Sequence, residues 1–215
     1  WIMAYLYIGT FGSFIGYSAA FPLLIKTQFP SVTIAIAFLG PLVGSLSRPF
    51  GGWLADRIGG SVITFWNFIV MAGATVGVLY FVGQKDFIGF LSMFLILFVT
   101  TGIGNGSTYR MIPSIFREQN LFKVRGKGDA ARAVALKTAS IESGAAVGFI
   151  GAVGAVGGYL IPSGFGKSIA MTGGPQLALA IYLAFYASCL GLTWWFYLRR
   201  SPQREGAPSL AEARV

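Results

Sequence analysis

The chain has 215 residues, 55% of them apolar and only 11% charged, with a formal charge of +9, one cysteine and no histidine. About a quarter of residues carry charge in a soluble domain, so the main solvent of this chain is lipid rather than water. Without histidine the commonest proton shuttle and metal ligand is missing, and the lone Cys189 permits no internal disulfide, so the reading is not an enzyme and includes no metal and no cofactor.

A bilayer core of roughly 30 Å takes about 20 apolar residues per helix, and six such stretches follow one another. The first covers 1–24; it lacks the charged start and cleavage site of a signal peptide, so the chain reads as a fragment. Lys26-Thr27-Gln28 and Pro30 end it, and the second span covers 32–54. A tight turn, Ala55 to Gly60, leads into a third span over 62–82, which breaks at Gln84-Lys85-Asp86 before a fourth over 87–112. A basic loop is expected over 113–137, where Arg117, Lys123, Arg125, Lys127, Arg132 and Lys137 outnumber Glu118 and Asp129. The fifth span covers 138–161 and the sixth 175–197, so that 1–200 forms an all-α membrane unit, followed by a tail over 201–215. Alternate breaks collect the cations: Arg57, the basic loop, and the closing Arg199, Arg200, Arg204 and Arg214 share one side, against Lys26, Lys85 and Lys167 on the other. The rich side is cytoplasmic by the positive-inside rule, so the basic segment requires no nucleic acid, and the partner of the apolar spans is the lipid bilayer.

Arg48 stands inside the second span with apolar sequence on both flanks. A central arginine costs about 2.5–3.5 kcal/mol on insertion scales, so such a residue usually faces a cavity or a partner. Snorkelling to the headgroups would require a reach of about 12 Å, further than the side chain comfortably extends. No Asp, Lys or His lies deep in a span, and the one embedded carboxylate is Glu142, read either as a helix-start acid favoured by the macrodipole or as a coupling group. An unneutralised guanidinium, planar and with donors in pairs, matches a flat oxyanion.

On the first span Tyr7, Phe11 and Phe14 recur at helical spacing with Ser18, an aromatic face suited to lipid or helix contact, except that the Tyr7 hydroxyl requires a hydrogen-bond partner. Two stretches are rich in glycine. Gly102 to Tyr109 mixes small residues with amide and hydroxyl groups, and Gly144, Gly148, Gly151, Gly154 and Gly158 form a ridge on the fifth span. Such a ridge serves close helix packing, or exposes backbone beside a cavity.

The turn Gly51-Gly52-Trp53-Leu54-Ala55-Asp56-Arg57-Ile58-Gly59-Gly60 resembles the signature loop of the major facilitator superfamily in its second, degenerate copy, with Gly60 and Ser61 in place of the final basic residues. The run from Gly148 to Pro162 resembles the second nitrate signature of the nitrate/nitrite porter family, and Tyr7 to Tyr17, Lys26 to Pro30 and Gly104 to Phe116 resemble the same family. The resemblance covers nearly the whole chain and is weakest in the 117–137 segment and the tail. It implies the C-terminal six-helix half of a twelve-helix bundle, the N-terminal six-helix half being absent, in a bacterial inner (plasma) membrane. It further implies substrate binding by Arg48, Tyr7, Phe11, Gly148 and Gly151, with a mate arginine from the other half, and a conformational switch at Asp56 and Arg57 that stabilises the outward-open state. Some relatives carry a hydroxyl residue where this chain has Gly151. The expected activity is nitrate/nitrite antiport by alternating access; nitrate/proton symport and carriage of another small organic anion are the alternatives.

Overall fold

A computed structural model describes residues 1–199; Arg200 and the expected tail over 201–215, with Arg204 and Arg214, lie outside the described residues. Among the described residues six helices are long and apolar enough to cross a membrane: α1 Ile2–Gln28, α2 Ile34–Ile58, α3 Gly60–Gln84, α4 Phe87–Lys123, α5 Gly128–Thr172 and α6 Gln176–Leu198. No strand occurs among the described residues. The architecture is that of an all-α, multi-pass membrane protein, since helices satisfy their own backbone groups in lipid.

Local chemistry sets the helix ends. The Thr33 side chain accepts from the Ala35 N–H at 3.4 Å where α2 begins, and Asp86 accepts from the Ile88 N–H at 3.0 Å where α4 begins. Between α2 and α3 a single residue turns the chain: Gly59 has φ of +106°, a conformation that side chains with a Cβ rarely adopt. The turn is therefore tighter than the hydropathy pattern implies.

The segment expected as a loop over 113–137 is largely helical, because α4 continues to Lys123 and α5 starts at Gly128. Hydropathy marks where lipid ends, whereas Arg, Lys, Leu, Gln and Ala continue a helix readily in water. With 37 residues, α4 is about 55 Å long and outreaches the hydrocarbon core. Beyond the expected end at 161, α5 likewise runs on through Pro162 to Thr172, with an interruption at Val156 between its two parts, Gly128–Ala155 and Gly157–Thr172.

The core gathers around α1. Phe21, Phe90, Phe94, Phe98 and Tyr17 are fully buried, with Phe21 stacked on Phe94 at 4.8 Å between ring centroids. Hydroxyls join α1 to α6: Tyr186 lies 2.5 Å from the Tyr17 oxygen and 2.8 Å from that of Ser13. In its most apolar stretch α1 is 61% buried, but the corresponding figure is only 22% for both α2 and α5. Thus α1 is central, while α2 and α5 leave much of their surface uncovered. The site described next lies where α1, α2 and α4 meet.

Candidate anion site

The site begins with a close approach of two backbones. A Cβ on Gly51 would strike the Ile103 carbonyl, and one on Gly106 would strike the carbonyl oxygen of Arg48, so α2 and α4 touch without intervening side chains. Ser47 Oγ spans the contact, donating to the Val99 carbonyl at 3.0 Å and to that of Gly44 at 2.8 Å. This contact brings Asn105 of α4 against Arg48 of α2.

The Asn105 carboxamide is oriented by its partners. Its oxygen accepts from Arg48 Nε at 2.9 Å and from Nη2 at 3.1 Å, while its nitrogen donates to the Tyr7 hydroxyl oxygen at 2.7 Å. The opposite orientation would set donor against donor, so the hydrogen-bond network decides. Tyr7 thereby obtains the partner that its buried hydroxyl requires, and Asn105 itself is only 6% exposed.

Aromatic rings wall the guanidinium. Its carbon lies 4.3 Å from the centroid of Phe14 and 5.6 Å from that of Phe11, within cation–π range. Phe11 in turn stacks on Tyr7 at 5.0 Å. The α1 backbone makes a π-helical turn at Ile8–Gly12, in which the Ser13 N–H reaches back to the Ile8 carbonyl. Such turns insert a residue and rotate one face against the other, and they recur at functional sites. The stripe drawn from Tyr7 to Phe14 therefore joins two helical registers.

Among the described residues the sole ion pair is Asp56–Arg110, and no carboxylate neutralises Arg48. A guanidinium has five N–H donors, of which Asn105 takes two, and the other three meet no acceptor among the described residues. A partly exposed, ring-walled positive charge with paired donors to spare can take a small planar anion on its free edge.

The structure brings Arg48, Tyr7 and Phe11 together, and neither candidate glycine turns its Cβ position onto them. A methyl group added at Gly148 or Gly151 would meet nothing within 4 Å, whereas one at Gly154 would lie 2.7 Å from Tyr7 Cδ1 and 3.3 Å from Phe11 Cδ1. The ridge on α5 is thus divided: Gly144, Gly148 and Gly151 face open space, and Gly154 and Gly158 face α1.

Asp56 and Arg57 also separate. The Asp56 carboxylate takes Arg110 of α4 in a bidentate pair, through Nε at 2.9 Å and through Nη2, while the Arg57 guanidinium lies 4.2 Å from the Trp53 ring centroid. Successive helical side chains diverge, so the neighbours face different partners. Glu142 lies well inside the α5 helix rather than at its start and accepts from Asn120 Nδ2 at 2.7 Å. The helix-start reading of this carboxylate therefore gives way to an interhelix hydrogen bond.

Sequence reasoning passed over three of these residues. Arg110 falls within the expected fourth span and would have emerged from the same search for embedded charge that found Arg48. Phe14 was in the aromatic stripe but not in the binding set. Asn105 stood in the Gly102–Tyr109 stretch, where nothing distinguished its amide from the neighbouring hydroxyls.

No protein-family model matches the chain. Among curated proteins it is similar to "Nitrate/nitrite transporter NarU" of Salmonella typhimurium, 46% identical over 211 residues that cover 95% of this chain and 45% of the relative. It is also similar to "Nitrate/nitrite transporter NarU" of Escherichia coli, 47% identical over 206 residues, or 93% and 44% of the two chains. A third relative is "Probable nitrate/nitrite antiporter NarK2" of Thermus thermophilus, 32% identical over 212 residues, or 95% and 43%. The chain spans about half the length of the curated relatives it matches.

Proposed function

This chain belongs to the nitrate/nitrite porter family of the major facilitator superfamily, and from that premise we propose that it is the C-terminal six-helix half of a carrier exchanging nitrate for nitrite across the bacterial inner membrane. The observation that carries the reading is Arg48, held in a membrane-spanning helix against the Phe11 and Phe14 rings with no acid among the described residues to neutralise it. Arg48 grips the anion, Tyr7 and Phe11 line its seat, and Gly148 and Gly151 keep the approach along α5 open. The absent N-terminal half supplies the opposite wall and the mate arginine. The two halves then rock about the midplane site, as repeat-built transporters do. An occupied site suits a positive clamp better than an empty one, which favours exchange over symport.

The test uses the full-length transporter in proteoliposomes. Vesicles loaded with nitrite take up labelled nitrate, and collapsing a pH gradient leaves the rate unaltered. Accumulation driven by a pH gradient in vesicles without internal nitrite would instead establish proton symport.

We assign the switch to Asp56 with Arg110, beside Arg57, on the cytoplasmic face. The Asp56 and Arg110 side chains are 50% and 56% exposed, so their pair contributes at most about 1 kcal/mol to stability. Asp56→Asn therefore leaves the thermal midpoint in detergent within a few degrees of the unaltered protein, about what that energy allows, while lowering turnover by changing the balance of conformers. The exchanged pair Asp56→Arg with Arg110→Asp recovers turnover. A charge swap as slow as the single variant would remove this role.

A further inference from the structure

A guanidinium offers a planar oxyanion two edges, one made by Nε–H with one Nη2–H and the other by the Nη1–H and Nη2–H pair at the tip. The Asn105 oxygen, at 2.9 Å from Nε and 3.1 Å from Nη2, occupies the first edge. Only the tip is left for a ligand. At the same time the Asn105 nitrogen, 2.7 Å from the Tyr7 oxygen, uses an acceptor site of that hydroxyl and leaves its hydrogen to be donated elsewhere.

Resting on the anion-transport reading above, we propose that Asn105 is a positioning residue that fixes Arg48 without neutralising it, seats the oxyanion on the tip edge, and turns the Tyr7 hydroxyl into an additional donor to the same anion. The chemistry explains why an amide stands here. A carboxylate would hold the same edge but cancel the charge that the anion requires, and it could not donate to Tyr7. An apolar residue would leave the edge open, so that the guanidinium could rotate and receive the anion in more than one pose. Asn105 is also prevented from moving. It lies between Gly104, whose added Cβ would come 2.6 Å from Thr10 Cγ2, and Gly106, which presses on the Arg48 carbonyl.

The test compares Asn105→Asp and Asn105→Ala in the full-length transporter, reading nitrate KM, maximal exchange rate and thermal midpoint together. Aspartate is nearly isosteric, so a purely structural role predicts that alanine does more harm. The proposal predicts the reverse order for KM: a rise of at least about tenfold with aspartate, the scale of one charge-assisted hydrogen bond, and a smaller rise with alanine. The thermal midpoint changes little in the aspartate variant. An aspartate variant with unaltered KM, or alanine raising KM more than aspartate, overturns the assignment. Should the aspartate variant fail to fold, the alanine variant decides alone, and an unaltered KM there overturns it. Arg48→Lys is measured alongside. If the unaltered transporter does not exchange nitrate, the transport reading itself fails; if it does, Arg48→Lys does not, and both Asn105 variants keep the original KM, only the positioning role is lost.

Discussion

Arg48→Lys in the full-length transporter abolishes nitrate exchange to within the background of empty vesicles, while the protein still inserts and melts near its usual temperature. Both residues carry one positive charge, so a long-range electrostatic role would survive the change. The geometry would not. Lysine has no planar fork, so it cannot donate to the Asn105 oxygen from one edge and present a second pair of donors at the tip, and an ammonium cannot lie flat beside Phe14 as the guanidinium does at 4.3 Å. Losing a two-point, charge-assisted grip on the anion amounts to about two orders of magnitude in affinity, before any contribution from the ring contacts. Labelled nitrate exchange, normalised to inserted protein, gives the readout. Retention of more than about a tenth of the original rate, well above that two-order loss, would show that the planar fork is not what holds the anion.

Arg48 was legible from the amino-acid sequence because its signal is a matter of solvent: a guanidinium among apolar neighbours requires an explanation whatever surrounds it in space. The six apolar stretches were legible for the same reason. Helix ends in the basic segment were not, since hydropathy changes at the membrane surface and α4 continues through it to Lys123. Asn105 was invisible for a different reason. Its role depends on the approach of α2 to α4 at Gly51, Gly102 and Gly106, a fact of tertiary packing that no local pattern encodes. The α5 glycines fall between these cases. Their spacing marks a ridge, but only the crossing with α1 divides it into residues that touch a neighbour and residues that face open space.

That division gives Gly157→Val and Gly148→Val opposite expected outcomes, although both substitutions fall in the same glycine-rich run. At Gly157 an added Cβ would lie 2.5 Å from the Gly12 Cα and 2.7 Å from the Gly12 carbonyl carbon, and a Cβ on Gly12 would come within 2.7 Å of the Gly154 carbonyl oxygen. Backbone cannot rotate away as a side chain can, so α1 and α5 must separate. Overpacking of this kind costs about 1–3 kcal/mol, and more for a branched side chain. The displacement would also carry Phe11, next to Gly12 on the π-helical turn, away from Arg48, so Gly157→Val should lower the thermal midpoint and eliminate exchange together. Gly148→Val meets nothing within 4 Å and should melt like the unaltered protein, any loss appearing in transport alone as the approach to the site narrows. Equal melting temperatures for the two variants would mean that α1 and α5 do not cross at Gly12 and Gly157, and the aromatic wall beside Arg48 would then lack the contact that sets its position.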